Sequence, residues 1–342
     1  MRQAVLTAAK TLEWRELATP TPGSGEVTIA IRAALTCGTD LKTFRRGHPK
    51  LAFGPFGHEA AGDIAAVGEG VEGFAVGDPV MWVQTAPCGR CASCAQGRAN
   101  LCSRLFDQIA LGAYADYLTL PAKIVQTNLY AKPDDIAYME AAFLEPLSCV
   151  VHGWNVVRRA RAGEALPPKV AIIGAGTIGL LHVLYARHHG IEATVIARSA
   201  ERAALAVQIG ADVTLTPDDV TDHRFDIVIE CAGSEDAWRQ AVLLAADGGC
   251  VVFFGGLPAD SRTSLDATRI HYGELSCLGS FHFTPADVRE ARDLLCSRKV
   301  AVRPLISAIA PLSQLAEIFA RLDRRDGHKY ALVPEPWAAQ WV

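Results

Sequence analysis

KVAIIGAGTIGLLHVLYARHHG, residues 169–190, decides the fold. The apolar run Val170–Ile173 leads into Gly174-Ala175-Gly176-Thr177-Ile178-Gly179, and a helical pattern follows. The order strand, G-x-G-x-x-G, helix has a physical logic. The first glycine permits a tight turn, the second lets the backbone approach a pyrophosphate, and the third lets the helix pack closely on the strand. Free N–H groups at the helix N-terminus then face the phosphates. Glycine-rich turns are common, so the flanking strand and helix carry the inference. Gly174, Gly176, Thr177, Ile178 and Gly179 are expected to bind a dinucleotide.

Strand–helix units continue beyond this segment. EATVIARSAERAALAVQIGAD (192–212) repeats strand then helix, and FDIVIECAG (225–233) and GGCVVFFGG (248–256) are apolar strands ending in glycine. This alternation predicts a parallel sheet with crossover helices. The second strand bears on which dinucleotide is bound. An NAD site usually carries a carboxylate about 20 residues after the turn, on the ribose 2′-hydroxyl. Here the strand ends in Ala197-Arg198-Ser199, and Glu192 stands at its other end. Arg198 and Ser199, with Arg202 one helical turn on, suit a 2′-phosphate, so NADP(H) is expected, with NAD as the alternative.

The N-terminal half has a different texture. VTIAIRAAL (27–35) alternates, and residues 54–83 are rich in glycine and valine, with Gly-Asp and Gly-Glu turns between short runs. Residues 111–125 also read as strand, and together these predict a β-rich, barrel-like domain. AYMEAAFLEPLSCVVHGWNVVRRARA (137–162) is helical in pattern, with Pro146 at a helix start or a kink. The tail from 303 reads as a strand, a helix and a last strand.

Ten cysteines need explaining, and Cys88, Cys91, Cys94 and Cys102 fall within a short polar loop. Four thiolates at this spacing can close a tetrahedral zinc site with no open position; an iron–sulfur cluster uses similar spacing. A closed site does no chemistry, so this metal is expected to hold the loop's fold. Further ligand types stand apart in the chain: Cys37 in TCGTD, His58-Glu59 after Gly57, and Glu145 before Pro146. Spacing alone does not show that they meet.

Taken in order, Cys37-Gly-Thr-Asp40, Gly57-His58-Glu59, Gly-Asp-Pro-Val at 77–80, the four-cysteine loop, Glu145-Pro-Leu-Ser148 and the Gly174 turn resemble the zinc-containing medium-chain dehydrogenase/reductase family. The resemblance covers essentially the whole chain. It implies an α/β fold: a GroES-like β-rich catalytic domain from residues 1–148 and 297–342, and a Rossmann doubly wound parallel-sheet domain over 149–296. It also implies a catalytic zinc between the domains, on Cys37, His58 and a glutamate, beside the structural zinc on the four cysteines. Phe-Leu-Glu-Pro-Leu-Ser resembles the sorbitol (polyol) dehydrogenase branch, in which Glu59 and Glu145 share duty around the metal. Thr39 matches the hydroxyl that passes the proton towards solvent. Many relatives have histidine five residues after the cysteine; this chain has Lys42, and His48 or water would take that part. His152 is read as a helix-packing residue.

The resemblance places the substrate pocket around Phe44–Leu51, Phe106–Ala110 and Phe281–Phe283. It favours a small polar hydroxylated substrate, such as a polyol, sugar or cyclitol carrying a secondary hydroxyl or ketone. A threonine-type or simple alcohol dehydrogenase on the same scaffold, or a non-catalytic NADPH-binding sensor, are the competing expectations. The basic segment Lys42, Arg45, Arg46, His48, Lys50 either meets an anionic group on the substrate or faces water. Thirty-three basic and 37 acidic residues give a net charge of −4, which argues against nucleic acid as partner. The absence of a signal peptide pattern or a long apolar run predicts a cytoplasmic protein with no membrane span, and the resemblance suggests a homodimer or homotetramer.

Overall fold

The computed structural model describes every residue except 48–51, 163–164, 167–168, 221–222 and 339–342, and the side chain of residue 336. His48 and Lys50, and with them part of the expected pocket segment Phe44–Leu51, lie outside the described residues. The chain forms two compact units. One comprises Met1–Ser148, Thr284–Arg298 and Val302–Val342; the other comprises Cys149–Phe283 and Lys299–Ala301.

The first unit is built on a seven-stranded sheet. Its long central strand, Val27–Leu35, pairs antiparallel with Glu59–Val67 on one side. Its other side pairs with Tyr117–Leu120 at one end and with Tyr330–Val333 at the other. The C-terminal tail therefore completes a sheet that the N-terminal residues begin. Inward-facing Val27, Ile29, Ile31, Ile64, Val80 and Leu332 are buried in one apolar core, over which the helix Leu315–Asp323 lays Leu315, Ile318 and Phe319. Strand alternation, expected over 111–125, stops at Leu120. Pro121 has no N–H to give the ladder, and the helix Ala122–Asn128 starts there.

The second unit is a six-stranded parallel sheet. In spatial order the strands are Val213–Leu215, Glu192–Ile196, Lys169–Ile173, Phe225–Glu230, Ala245–Phe253 and Ser276–Gly279. Counted along the chain this is 3-2-1-4-5-6, the doubly wound order whose direction reverses between the first and fourth strands. Burial of nearly every residue of Lys169–Ile173 and Phe225–Glu230 explains why these runs are continuously apolar rather than alternating.

One helix differs from expectation. Pro285–Cys296, read as the end of the dinucleotide-binding domain, packs with the first unit, and the three residues Lys299–Ala301 belong to the second. The cause is local contact. The Arg292 guanidinium lies 5.1 Å from the Tyr130 ring centroid, and Arg298 pairs with Asp135 at 3.1 Å.

Candidate metal centres and dinucleotide crevice

Sheet register brings the scattered ligand types to one place. Leu35 pairs with Glu59 across one ladder and with Ala331 across the other. Cys37, His58-Glu59 and Lys329 therefore converge at the same end of the sheet. Cys37 caps the helix Gly38–Arg46, its Sγ accepting from Thr39 N at 3.4 Å. The ligand atoms of Cys37, His58 and Glu59 all lie within 4.8 Å of one another. Glu145 stands outside that group. It lies in the first turn of the helix Leu144–Ala160, and its Oε1 accepts from Gln84 Nε2 at 2.8 Å.

Each ligand is held from behind. His58 Nδ1 lies 3.0 Å from Asp40 Oδ1, so Nδ1–H faces the carboxylate and Nε2 is the nitrogen at which a metal would take the place of a proton. Asp40 is fixed in turn by the Tyr114 hydroxyl, which donates to Oδ2 at 2.7 Å. A carboxylate behind a histidine in this way sets the tautomer that a metal needs. Glu59 Oε2 contacts Lys329 Nζ, and Oε1 is buried without a hydrogen-bond partner among the described residues. Burial pushes the Glu59 carboxyl up to about 7, against the pull of Lys329. Burial and the Glu59 charge also push the Cys37 thiol up. Burial alone would disfavour a charge on His58, yet Asp40 and Cys37 outweigh it and hold its pKa well above the ordinary imidazole value. A buried pocket of thiol, carboxylates and imidazole that favours positive charge fits a divalent cation, and the S, N, O donor set is one that zinc accepts.

Cys88, Cys91, Cys94 and Cys102 also lie within 4.8 Å of one another and form no disulfide. Cys91 Sγ is 3.5 Å from Cys94 Sγ and 3.8 Å from Cys102 Sγ. Tetrahedral ligands at a zinc–sulfur distance of about 2.3 Å stand roughly 3.8 Å apart. Cys102 Sγ accepts from Cys88 N at 3.3 Å and from Arg104 N at 3.4 Å. The backbone N–H groups of Cys94 and Ser103 hold the Cys91 thiol down at about 5, as a thiolate ligand requires.

In the second unit each glycine of the turn has a distinct reason. Gly174 has φ +105°, and a Cβ on Gly179 would stand 1.9 Å from Gly174 O. A Cβ on Gly176, which caps the helix Thr177–His188, would meet nothing within 4 Å, so the backbone there is open to a ligand. Ser199 Oγ caps the helix Ala200–Ile209 by accepting from Arg202 N at 3.4 Å; Arg198 beside it is exposed. Thr39 and Lys42 are exposed, and His152 is buried on its helix.

Sequence reading missed Lys329, Tyr114 and Gln84, and gave Asp40 a place in a motif but no role. Asp40, three residues after Cys37 on one helical turn, carried a signal; Lys329, 270 residues from Glu59, carried none.

Comparison with known proteins agrees with this arrangement. Residues 23–131 match the alcohol dehydrogenase GroES-like domain and residues 177–297 the zinc-binding dehydrogenase domain. The D-altritol 5-dehydrogenase of Agrobacterium fabrum is 31% identical, with 87% of this chain and 88% of that protein covered. The sorbitol dehydrogenase of Halalkalibacterium halodurans is 30% identical over 92% of this chain and 93% of that one. A solved structure described as a zinc-binding dehydrogenase of Sinorhizobium meliloti 1021 bound to NADP superposes with a TM-score of 0.88 at 29% identity, covering 97% of this chain and 99% of that one. The chain belongs to the zinc-containing medium-chain dehydrogenase/reductase family, in its polyol dehydrogenase-like branch. It is a zinc-dependent dehydrogenase with a GroES-like unit and a Rossmann unit. Among the described residues no helix is long and apolar enough to cross a membrane.

Proposed function

We propose that the protein moves a hydride between NADP(H) and the carbon of a secondary hydroxyl or ketone in a polyol, sugar or cyclitol. The observation that carries this reading is the Cys37–His58–Glu59 group, half-buried at the cysteine and buried at the other two, backed by Asp40. When bound, zinc supplies Lewis acidity towards a hydroxyl or carbonyl oxygen, and the dinucleotide accepts or gives the hydride. The rest falls to the chain's own residues. Cys37, His58 and Glu59 hold the metal, and Glu145, poised on Gln84, is the second carboxylate of the site. Asp40 keeps the His58 ring in register. Thr39, exposed at the first turn of its helix, takes the proton towards solvent. Cys88, Cys91, Cys94 and Cys102 close a second zinc site that folds their loop.

Gly174, Gly176, Thr177, Ile178 and Gly179 receive the pyrophosphate on free N–H groups. Arg198, Ser199 and Arg202 take the 2′-phosphate, and the bound NADP of the Sinorhizobium relative supports that choice. The polyol reading rests on relatives named for D-altritol and sorbitol. The strand Ser276–Gly279 ends the parallel sheet, with Tyr272 80% exposed nearby, and this supports a homodimer or homotetramer. Four free thiols at 88, 91, 94 and 102 support a reducing compartment, the cytoplasm.

The test is a set of initial rates with NADP or NAD against polyols, sugar phosphates, threonine and simple alcohols, before and after chelation. Turnover of a polyol with NADP, abolished by chelation, is the expected result. Faster turnover of threonine or a simple primary alcohol would replace the polyol reading, and binding of NADPH without turnover of any member would favour a sensor.

A further inference from the structure

Glu230 is the last residue of the strand Phe225–Glu230, at the point where the order of the parallel sheet reverses. Its register partners are Ile173, which leads into the glycine turn, and Phe253. The side chain is fully buried. Oε1 accepts from both Ala232 N and Gly233 N at 2.7 Å, and the backbone carbonyl of the same residue accepts from Phe254 N at 3.0 Å and Gly255 N at 2.9 Å. One residue thus folds the loop 231–233 back on itself and ties it to the end of the next strand.

That loop is the wall beside the glycine turn. Cys231 N donates to Ile173 O at 2.9 Å, and a Cβ on Gly174 would stand 3.2 Å from Ala232 N. On its other side the fit is tighter. A Cβ on Gly255 would stand 2.4 Å from Gly233 N and 2.7 Å from Glu230 Oε2, so only glycine passes there. A carboxyl in this position is costly: burial pushes it up to about 7, against the N–H donors of Gly233 and Ala232. The N–H donors of Gly233, Ala232 and Gly255 offset part of that cost.

The two halves of such a sheet each face one half of a dinucleotide, across the reversal point. Arg198 closes the strand Glu192–Ile196, on the side of the first three strands. A 2′-phosphoadenosine held there leaves the nicotinamide half over the fourth to sixth strands, where the Glu230 loop lies. We propose that Glu230 is a positioning residue of the cofactor site, whose carboxylate holds the loop 231–233 in the shape that receives the nicotinamide half of the dinucleotide. This rests on the dinucleotide reading above.

The experiment is a fluorescence titration of the zinc-replete full chain with NADPH, in competition with adenosine 2′,5′-bisphosphate, for the wild type, Glu230→Ala and Glu230→Gln. Loss of two charge-assisted N–H bonds predicts that Glu230→Ala binds NADPH about tenfold more weakly or worse. The adenine-half ligand should bind it within about twofold of wild type, because its contacts lie on the other side of the reversal point. Glu230→Gln keeps the accepting oxygen and should recover most of the NADPH affinity. A purely structural role would weaken both ligands alike, or neither, and would overturn the proposal. If Glu230→Ala does not fold, Glu230→Gln decides alone: a loss of NADPH affinity as large as tenfold overturns it. A wild-type chain that binds NADH instead moves the same comparison to NADH and AMP. A wild-type chain that binds no dinucleotide overturns the cofactor reading and this inference together.

Discussion

Lys329 and Glu59 form an ion pair inside the first unit, joining residues 270 apart in the chain. Lys329 is 2% exposed and Glu59 1% exposed. The ammonium also donates to Thr36 O at 2.9 Å and lies 5.4 Å from the Phe143 ring centroid. A lysine so placed has its charge satisfied on several sides, and removing it leaves the Glu59 carboxylate buried near Glu145 without its cation. Breaking one partner of a buried pair typically costs about 3–5 kcal/mol, while removing both is far milder. Lys329→Met should therefore shift the urea midpoint strongly downward, and Glu59→Gln/Lys329→Met should regain much of the loss. Equal midpoints for wild type and Lys329→Met would show that the pair contributes nothing to folding.

The four-cysteine loop gives a second expectation. The loop has two short helical turns, Ala92–Ala95 and Ala99–Leu101, and little apolar burial to hold it. Its order depends on a metal that collects four thiolates, so binding energy is folding energy there. Cys94→Ser should lower the zinc content from two per chain to one, measured by atomic emission after gel filtration, and make the peptide bonds near Arg98 accessible to trypsin. NADPH binding by the second unit should survive. Two zincs retained in Cys94→Ser would remove the closed-site assignment.

How far the sequence went follows from the range of the interactions. The glycine turn and the parallel strands were legible because a tight turn, a helix start and a buried strand are set by neighbours in the chain. The cysteine loop was legible for the same reason. Cys37, His58 and Glu59 are legible as a group only through ordered resemblance, since their meeting depends on the register of Leu35 with Glu59, and Glu145 stands outside that group on its own helix. Lys329 was hidden: a lysine in GHKYALV looks like any surface lysine until the last strand docks beside Leu35. The helix Pro285–Cys296 packs within the first unit, and the sequence does not show this, because an amphipathic pattern states that one face is buried, not against what.

The proposed preference for NADP(H) rests on Arg198 and Ser199, which are adjacent but stand in different surroundings. Ser199 Oγ is engaged by Arg202 N as a helix cap, whereas Arg198 is exposed. Loss of a charged hydrogen-bond donor to a phosphate costs about 1.5–3 kcal/mol, roughly a 10- to 100-fold effect. Arg198→Ala should lower the NADP-to-NAD ratio of kcat/KM by that factor, through KM rather than kcat. Ser199→Ala should add a loss of about 1 kcal/mol in stability from the missing cap. Steady-state rates with both cofactors, alongside urea unfolding, separate the two contributions. An unchanged ratio in Arg198→Ala would mean that the 2′-phosphate is bound elsewhere.

His182 offers a pH-dependent test in the second unit. It is fully buried on the helix Thr177–His188, and neither ring nitrogen has a hydrogen-bond partner among the described residues. Its ring meets Phe254 edge-on, with centroids 5.0 Å apart, and lies 6.1 Å from the Trp154 ring. Burial alone pushes its pKa down to about 3. An unfolded histidine titrates near 6.5, so below that pH the unfolded chain takes up a proton that the folded chain refuses. The stability linked to His182 is complete above about pH 6.5 and falls by about 1.4 kcal/mol per pH unit as the solution is acidified towards 3. His182→Leu removes that loss and also the cost of two unpaired polar atoms. The variant should match or exceed the wild type in urea at pH 7.5, and its advantage should widen by roughly 1–2 kcal/mol at pH 5.5. Because the metal sites and all other titrating groups are common to both proteins, they cancel in the difference. Parallel stability curves over that range would mean that His182 is protonated in the folded state, or hydrated within the core.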